Sequence, residues 1–427
     1  MELRKKIIRY VVLMTFLLNS FFGYAYSNVV IGGIPLNEIF LMIGLIASIS
    51  LLGSIVRQNP IIKILLIWSL ISIPFVIYGF IIYGKFALRD ATHVIEIWWI
   101  PLSIIVFSDV GKEELIKITK ICIILYMVRS IIQFLPLEGL FVIKGLHSDL
   151  DLLTTKIAMP IIANFCFWGV VVKLHKNYFV VLLFVLGIVI GQGRGGIVAI
   201  FATLFIYLLI MHFSRKLIKR LSFGMIGIVF CYVLISNIDS LSSRTKHGKL
   251  LTLSEYADLM MSSTGKSEVF KGSADGVTQR IEWREKIFEK AENDFSVLLM
   301  GQGFGVPLTD FYVPTGALVR ELHNSYLSVF ARTGIIGFAV WIMFHILLNI
   351  RMLIFFRNHK KLISYDYSTK FLLCCYFAII AAYTTALVQP YFENPYAAIP
   401  CFIAMGLIIS LFKKIKENEN IHRNAVL

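Results

Sequence analysis

The stretch GQGRGG at 191–196 places one arginine, Arg194, between glycines at the junction of two apolar segments. Glycine on both sides lets backbone N–H groups approach an anion closely, and the guanidinium of Arg194 is a charged fork that matches phosphate. The alternative is a tight turn whose arginine only anchors a helix end at a membrane surface. Gly193, Arg194 and Gly195 therefore form a candidate anion-binding turn.

A second arginine and a histidine lie later in the chain, in polar surroundings. Arg280 opens the amphipathic stretch TQRIEWREKIFEKAE at 278–292, where its guanidinium either binds an anion or is simply solvated. His323 lies where a long polar connection meets the next apolar segment, in HNSYLSVFARTGIIG at 323–337. Histidine is the side chain best suited to move a proton near neutral pH, so His323 is the candidate general base, with Glu321 as the alternative.

Two arginines and a base suit a substitution at a phosphorylated leaving group. Arg194 and Arg280 could neutralise the negative charge that grows on an anionic leaving group such as a phosphate. His323 would take the proton from an acceptor hydroxyl group, which is a weak nucleophile on its own. Transfer of a group from an anionic leaving group to a hydroxyl acceptor is therefore chemically coherent with these residues. The two guanidinium groups would stabilise the leaving group without a metal ion.

Three further groups of polar and aromatic residues fall in short connections between apolar segments. They are Arg89, Asp90 and His93; Asp149 and Asp151; and Tyr391, Phe392 and Glu393. The first group either shapes the same site or pairs internally. The two aspartates have the DxD spacing of some cation sites, but we interpret them as solvated carboxylates and predict no metal site. The third group could contact substrate, although aromatic side chains are common at membrane interfaces.

The elements that must position these residues are membrane-spanning helices. The 427 residues are 58% hydrophobic and 16% charged, with a mean hydropathy of +0.78. So many long apolar runs need lipid as a solvent, because no soluble core of this size could bury them. The net charge of +15 is spread over the short connections, which argues against nucleic acid as a partner. All six cysteines lie in apolar runs and are predicted to be packing residues.

Twelve apolar segments are long enough, or nearly long enough, to cross a membrane. A glycine turn separates the seventh segment from the eighth, and fusing these two would give eleven. The segments are 7–23, 36–55, 61–83, 93–108, 115–134, 156–172, 178–191, 196–211, 219–236, 324–350, 368–388 and 396–412.

The distribution of lysine and arginine decides between twelve segments and eleven. With twelve, the short connections on the side of the N-terminus carry most of these cations, and those on the other side carry few. This positive-inside pattern predicts that both termini are cytoplasmic. The basic first residues and the apolar run after them predict an uncleaved first helix, with a cleaved secretory signal as the alternative.

One connection, 237–323, is much longer than the others, and it is predicted to be external, between the ninth and tenth helices. We expect no separate domain, so that residues 1–427 form a single polytopic membrane domain. The connection contains an amphipathic helix near 278–292, on which Glu282 and Lys286 are spaced for an ion pair. The apolar face of this helix repeats every four residues, at Trp283, Ile287 and Ala291.

In their order along the chain, the motifs resemble those of the O-antigen polymerase and ligase superfamily of bacterial envelope glycosyltransferases. The resemblance rests on an arginine between glycines, an Arg-x-x-Trp helix followed by GxGxG, and an HN-x-x-L-x-x-x-x-x-x-G segment that opens the next span. In this sequence the first motif is Gly193, Arg194 and Gly195. The second is Arg280 and Trp283 with Gly301, Gly303 and Gly305, and the third is His323, Asn324, Leu327 and Gly334. The motifs cover 191–337, and the span count and large loop agree over the whole chain.

The resemblance implies an all-helical, GT-C-like enzyme of the bacterial inner membrane that uses no cofactor. Its donor would be an oligosaccharide on undecaprenyl diphosphate, transferred with inversion at the outer face of the membrane. Arg194 and Arg280 would bind the donor diphosphate, and His323 would serve the acceptor hydroxyl. We expect supporting roles for Arg89, Glu321, Asn324, Gly193 and Gly195.

Three functions are compatible with these residues. A polymerase of surface polysaccharide repeat units is favoured, and a chain-length regulator would be its partner. A ligase would use the same donor and pass the glycan to lipid A core, as in lipopolysaccharide, or to another terminal acceptor. A transporter of lipid-linked glycans would need ionisable residues near the bilayer midplane, where the spans have few apart from Arg129 and Arg332.

Overall fold

The computed structural model is almost entirely helical. It describes residues 2–132, 142–144, 149–151, 159–176, 194–211, 271–312 and 318–424. The helices follow from long runs of Leu, Ile, Val and Phe, because in lipid each backbone polar group must be paired within its own segment or with a neighbour.

We number the helices of the described residues in chain order. They are α1 (Glu2–Phe22), α2 (Tyr24–Ser27), α3 (Leu36–Gln58), α4 (Pro60–Tyr83), α5 (Lys85–Asp90), α6 (Thr92–Ile95), α7 (Trp99–Phe107), α8 (Lys112–Ile132), α9 (Met159–Val171), α10 (Arg194–Met211), α11 (Lys271–Asn293), α12 (Phe295–Met300), α13 (Ser325–Asn358), α14 (Lys360–Tyr365), α15 (Tyr367–Ala386) and α16 (Pro395–Asn424). A 3-10 turn, Glu96–Trp98, joins α6 to α7. Two short antiparallel hairpins pair β1 (Val30–Ile31) with β2 (Ile34–Pro35), and β3 (Val142–Lys144) with β4 (Asp149–Asp151).

Five helices within the described ranges are long and apolar enough to cross a membrane, judged by length and composition. They are α3, α4, α13, α15 and the part of α16 up to Glu417. Shorter apolar helices lie at Thr92–Phe107, Ile161–Val171 and Val198–Met211. All the predicted segments fall on helices except 178–191 and 219–236, which lie outside the described residues. The total of twelve spans, and the placing of the long connection between the ninth and tenth, stay predictions.

Helices α15 and α16 lie at the centre of the bundle. Helix α15 is buried along almost all of its length, as expected for a helix that is apolar on every side. Gly406 of α16 approaches α7 so closely that a Cβ atom there would lie 2.4 Å from the Ile100 carbonyl oxygen. Small residues allow this kind of close approach between membrane helices. On the other side, the rings of Trp168 in α9 and Phe377 in α15 have centroids 4.4 Å apart.

Helix α13 is broken at Gly334, whose backbone is non-helical at φ 62° and ψ −170°. The residues before the break, 325–333, form a short half-helix. The carbonyl oxygens of Ala331 and Arg332 accept hydrogen bonds from the backbone N–H groups of Gln302 and Gly303, at 2.7 and 3.1 Å. Backbone groups freed by a break in a membrane helix need such partners. We call 301–305 (GQGFG) the glycine-rich segment; it provides the hydrogen-bond donors that the broken helix lacks.

The two ends of the bundle differ in charge. At one end, the Lys5 ammonium lies 3.3 Å from Asp109, and the Lys413 ammonium donates to the Gln58 side chain at 3.0 Å. We call this the basic end, because α1 begins there and the lysine-rich part of α16 lies there. At the opposite end α4 stops against the glycine-rich segment and α13 begins. We call this the site end.

Candidate active site

His323 directly precedes α13 and has a left-handed backbone conformation, with φ 53°. Residues other than glycine adopt this conformation infrequently. The next residue, Asn324, is the N-cap of α13, and its side-chain oxygen accepts the Leu327 N–H at 3.0 Å. The imidazole stacks on the indole of Trp283, with ring centroids 6.4 Å apart and planes 19° apart. The position of His323 is thus fixed by both the helix start and an aromatic neighbour.

Trp283 belongs to α11, the amphipathic helix of the long connection. The predicted apolar repeat is confirmed, because Trp283, Ile287 and Ala291 are all buried. Trp283 and Ile287 pack in a small cluster with Leu308 and Leu322, separate from the main core. The helix starts at Lys271, earlier than the predicted 278–292.

The predicted ion pair on α11 differs from the observed one. Lys286 contacts the Asp310 carboxylate instead of Glu282. Asp310 follows Leu308, which packs against α11, and this packing brings the carboxylate beside Lys286. The hydrogen bond from Lys286 lowers the pKa of the Asp310 carboxyl. The last part of the long connection, which contains Leu308 and Leu322, is therefore attached to α11 by apolar contacts, with this exposed pair at their edge.

Arg280 lies one turn before Trp283 on α11 and is half-buried. Residues three apart in a helix share a face, so Arg280 lies on the face that carries Trp283 and contacts His323. The fold thus brings these two predicted site residues to the same part of the molecule.

The third predicted residue, Arg194, is the first described residue of α10, and its side chain lies outside what the structure describes. Gly193 lies outside the described residues as well, and Gly195 follows Arg194 in α10. The role of this turn stays a prediction from the sequence.

Arg89 and Glu321 form an ion pair across the site end, with a nitrogen–oxygen distance of 3.1 Å. The pair joins α5 to the segment that leads into His323. Both side chains are partly exposed, so the pair contributes about 0–1 kcal/mol to stability. The Glu321 carboxylate is thus engaged by Arg89, and the choice between His323 and Glu321 as the base stays a prediction from the sequence.

Asp90 is fully buried and binds two arginines that are remote from it in the sequence. Arg320 contacts its carboxylate with Nε at 3.3 Å and a terminal nitrogen at 2.9 Å, and Arg332 contacts it at 3.1 Å. The exposed fractions of the three side chains are 0% for Asp90, 7% for Arg320 and 1% for Arg332. Charges this deeply buried are tolerated only with close partners and further hydrogen bonds.

The remaining charge of this cluster is compensated by backbone and aromatic groups. Arg320 donates to the Gly305 carbonyl oxygen at 2.6 Å, and Arg332 donates to the Val306 carbonyl oxygen at 3.2 Å. The Gly305 N–H donates to Asp90 at 3.2 Å. The guanidinium of Arg320 also lies over the Phe86 ring, 4.6 Å from its centroid. The cluster therefore fixes the glycine-rich segment to α5 and α13.

Sequence reasoning did not find this cluster. It grouped Asp90 with Arg89 and His93 because the three are neighbours in the chain. In the structure Arg89 pairs with Glu321, and His93 lies between the rings of Trp68 and Phe304 at centroid distances of 5.8 Å. The one available signal was Arg332, a charge deep in an apolar segment, which needs a buried partner.

Glu393 is buried in the connection between α15 and α16. The Ser325 hydroxyl donates to its carboxylate at 2.5 Å, which ties this connection to the start of α13. Burial raises the pKa of the Glu393 carboxyl, and the hydrogen bond from Ser325 partly opposes that shift. The neighbouring Tyr391 and Phe392 are also buried, so they pack into the bundle rather than present their ring faces to a substrate.

Among the described residues, no three His, Cys, Asp or Glu side chains are placed to hold a metal ion. The side chains of Asp149 and Asp151, which have the DxD spacing, lie outside what the structure describes.

Fold and site together define a multi-pass helical membrane protein. Its candidate site lies at one end of the bundle and is assembled from a histidine, an arginine-bearing helix and the glycine-rich segment. Residues 179–342 match the family model of the O-antigen ligases. The match confirms the resemblance to the O-antigen polymerase and ligase superfamily, and this family implies a glycosyltransferase-like membrane enzyme. The matched range contains Arg194, Arg280 and His323. No match was found among curated proteins.

Proposed function

We propose that this protein is a polymerase of surface polysaccharide repeat units, of the O-antigen or capsule type. It transfers the growing glycan from undecaprenyl diphosphate to the next lipid-linked repeat unit, without a metal ion and with inversion. The observation that carries the proposal is the placing of His323, oriented by Trp283 and Asn324 within the range that matches the family.

In the proposed reaction, the acceptor hydroxyl attacks the anomeric carbon of the donor sugar. A carbon–oxygen bond to the acceptor forms, and the bond from the anomeric carbon to the phosphate oxygen breaks. His323 takes the hydroxyl proton, and the electron pair of the broken bond leaves with the diphosphate. Arg280 and Arg194 bind that diphosphate and stabilise its charge, which replaces the work of a metal ion. General-base assistance of this kind contributes about 10²–10⁴-fold.

The distribution of charge supports an external position for the site. His323 lies at the site end, away from the lysines of α1 and α16. The positive-inside rule places the basic end and both termini in the cytoplasm. The reaction then takes place at the outer face of the bacterial inner membrane, where the lipid-linked donor presents its glycan.

A ligase is the second candidate, because the matched family is described as O-antigen ligase. It would use the same donor residues and pass the glycan to lipid A core or another terminal acceptor. A transporter is less well supported. Arg332, one of its two candidate midplane charges, is bound to Asp90 and the glycine-rich segment near the site end.

The test uses a strain that lacks this protein and a gel of its surface polysaccharide. The strain is complemented with wild type, Arg194→Ala, Arg280→Ala or His323→Ala at matched expression. The control is Arg284→Ala, which removes an exposed arginine from the same helix as Arg280.

If the strain that lacks this protein shows a single repeat unit on the terminal acceptor, without a ladder, the protein is a polymerase. Long lipid-linked chains that never reach the acceptor establish a ligase. We expect Arg284→Ala to restore the wild-type pattern and the three site variants to fail. If all three site variants restore it, the proposed site is wrong and the transporter becomes the leading hypothesis.

A further inference from the structure

Two adjoining cavities open at the basic end, on the opposite side of the bundle from His323. Their volumes are about 300 and about 240 Å³. Helices α3 and α16 contribute to both; α1 and α7 line the larger cavity and α13 the smaller. The residues common to both cavities are Gln58, Asn59, Ile409, Lys413 and Glu417.

The lining of this double cavity is strongly basic. Lys5, Lys413 and Lys414 line the larger cavity, and Arg351 and Lys416 extend the positive lining into the smaller one. Against these five cations stand two carboxylates, Asp109 and Glu417. The lining therefore carries an excess of positive charge.

Lys5 pairs with the Asp109 carboxylate at 3.3 Å, but the contacts of the other lysines leave much of their charge uncompensated. The Lys413 ammonium donates to the Gln58 amide oxygen at 3.0 Å, and the Lys414 ammonium donates to the Val110 carbonyl oxygen at 2.7 Å. Both acceptors are neutral. The Glu417 carboxylate lies 3.8 Å from Lys413, at the outer limit of an ion pair. An anion in the cavity would supply the missing negative charge.

Aliphatic side chains make up much of the remaining lining, beside a few neutral polar ones. Ile55, Ile104 and Ile105 form one wall of the larger cavity, and Leu348 and Met352 form one wall of the smaller. A cavity lined by both cations and aliphatic side chains matches an amphiphile with an anionic head. Basic pockets between membrane helices are known to bind phospholipid head groups in this way.

We propose that the double cavity binds an anionic phospholipid, with its phosphate group between Lys5, Lys413 and Lys414 and its acyl chains along the isoleucine wall. The bound lipid joins α1, α3 and α16 at the basic end and stabilises their packing. This site is independent of the proposed glycosyl transfer, because it lies at the other end of the bundle.

The test uses the full-length protein purified in a non-ionic detergent. The probes are phosphatidylglycerol, phosphatidylcholine with the same acyl chains, and inorganic phosphate. Binding is measured by native mass spectrometry, and stabilisation is measured by the midpoint of thermal unfolding. The variant is Lys413→Gln with Lys414→Gln. Its control is Lys360→Gln with Lys361→Gln, which removes two lysines of α14 that do not line the double cavity.

We expect phosphatidylglycerol to bind and stabilise the wild type, and phosphatidylcholine to do neither. Each lysine near a phosphate is worth about a fivefold change in affinity, so the variant should bind about 25-fold more weakly. The control should bind as the wild type does. Ser54→Glu adds a carboxylate to the lining at an exposed position and should weaken binding without unfolding the protein.

Three results would overturn the proposal. Equal binding of the two lipids would show that the phosphate charge is not recognised. An equal loss in the α14 control would show that the effect is one of total charge. If inorganic phosphate alone stabilised the protein as much as phosphatidylglycerol does, the site would bind a free anion and not a lipid.

Discussion

Replacement of Asp90 by asparagine should destabilise the site end more than any other single charge removal in the described residues. Asparagine keeps the shape of the side chain and removes its charge. The guanidinium groups of Arg320 and Arg332 would then contact a neutral amide in place of the carboxylate that they share. Two buried cations would face each other without a counter-charge in contact.

The size of the effect follows from burial. The exposed fractions of 0% for Asp90, 7% for Arg320 and 1% for Arg332 put the cluster among buried ion pairs. Removing one partner of such a pair costs about 3–5 kcal/mol, whereas an exposed pair is worth about 0–1 kcal/mol. The amide oxygen of asparagine can still accept the Gly305 N–H, so we expect the lower part of that range. A loss of about 3 kcal/mol is a large share of typical stability.

The effect should be concentrated in the segment that Asp90 fixes. Hydrogen exchange of the Asp90→Asn variant should rise in 301–312 and 318–324, and the midpoint of thermal unfolding should fall by several degrees. The control is Asp310→Asn, which is the same chemical change at an exposed carboxylate paired with Lys286. We expect that control to exchange and unfold as the wild type does.

A double variant tests the sharing of one carboxylate by two arginines. Replacing Arg332 by methionine in the Asp90→Asn background removes one of the two opposed charges. The double variant should therefore lose less stability than the sum of the two single variants, by about 1 kcal/mol or more. Additive losses, or an Asp90→Asn variant within about 1 kcal/mol of wild type, would refute this account of the cluster.

Three further predictions concern the residues around the broken helix. Asn324→Ala should lower the free energy of unfolding by about 1 kcal/mol through loss of the N-cap, as measured by thermal unfolding. Asn324→Ser should retain most of that stability, because serine is also a good N-cap. Gly334→Ala should prevent folding, because its Cβ would lie 2.3 Å from the Leu299 carbonyl carbon at a positive φ. Gly53→Ala, where that space is open, should express normally on a gel of the membrane fraction. Burial raises the pKa of the Glu393 carboxyl above 4.5, so the folded state disfavours the charged form. The contribution of this group to stability is complete below pH 4.5 and is lost as the pH rises through the raised pKa. Glu393→Gln should remove that part of the pH dependence of thermal unfolding, and an unchanged profile would contradict the assignment.

The backbone of the candidate site was largely encoded in local sequence. Gly301, Gly303, Gly305 and Gly334 all have positive φ, which explains why glycine stands at these motif positions. Asn324, which follows His323, is the N-cap of α13, a position that asparagine favours. The break at Gly334 was not predicted, and 324–350 was treated as one continuous span. A single glycine in an apolar run does not indicate a break when its hydrogen-bonding partner, the glycine-rich segment, lies elsewhere in the chain.

Contacts between distant positions were the part that sequence could not supply. Helical periodicity relates residues three or four apart, and it therefore placed Trp283 and Ile287 on one buried face. The same rule paired Lys286 with Glu282, whereas packing brings Asp310 closer. Nothing in a single sequence relates Asp90 to Arg320, because their contact depends on how α5 meets the end of the long connection.

Polar side chains hold the half-helix 325–333 at both ends. The Glu393 carboxylate lies at its start, bound to Ser325, and the Arg332 guanidinium lies at its end. A helix carries partial negative charge at its C-terminus, so the Arg332 guanidinium there contributes about 0.3–1 kcal/mol. These contacts fix the half-helix in place at both termini. His323 is attached to its first residues in a left-handed conformation, and a base must keep its distance to the reacting hydroxyl within a fraction of an ångström. Glu393 and Arg332 therefore serve the proposed chemistry by holding the element that positions His323.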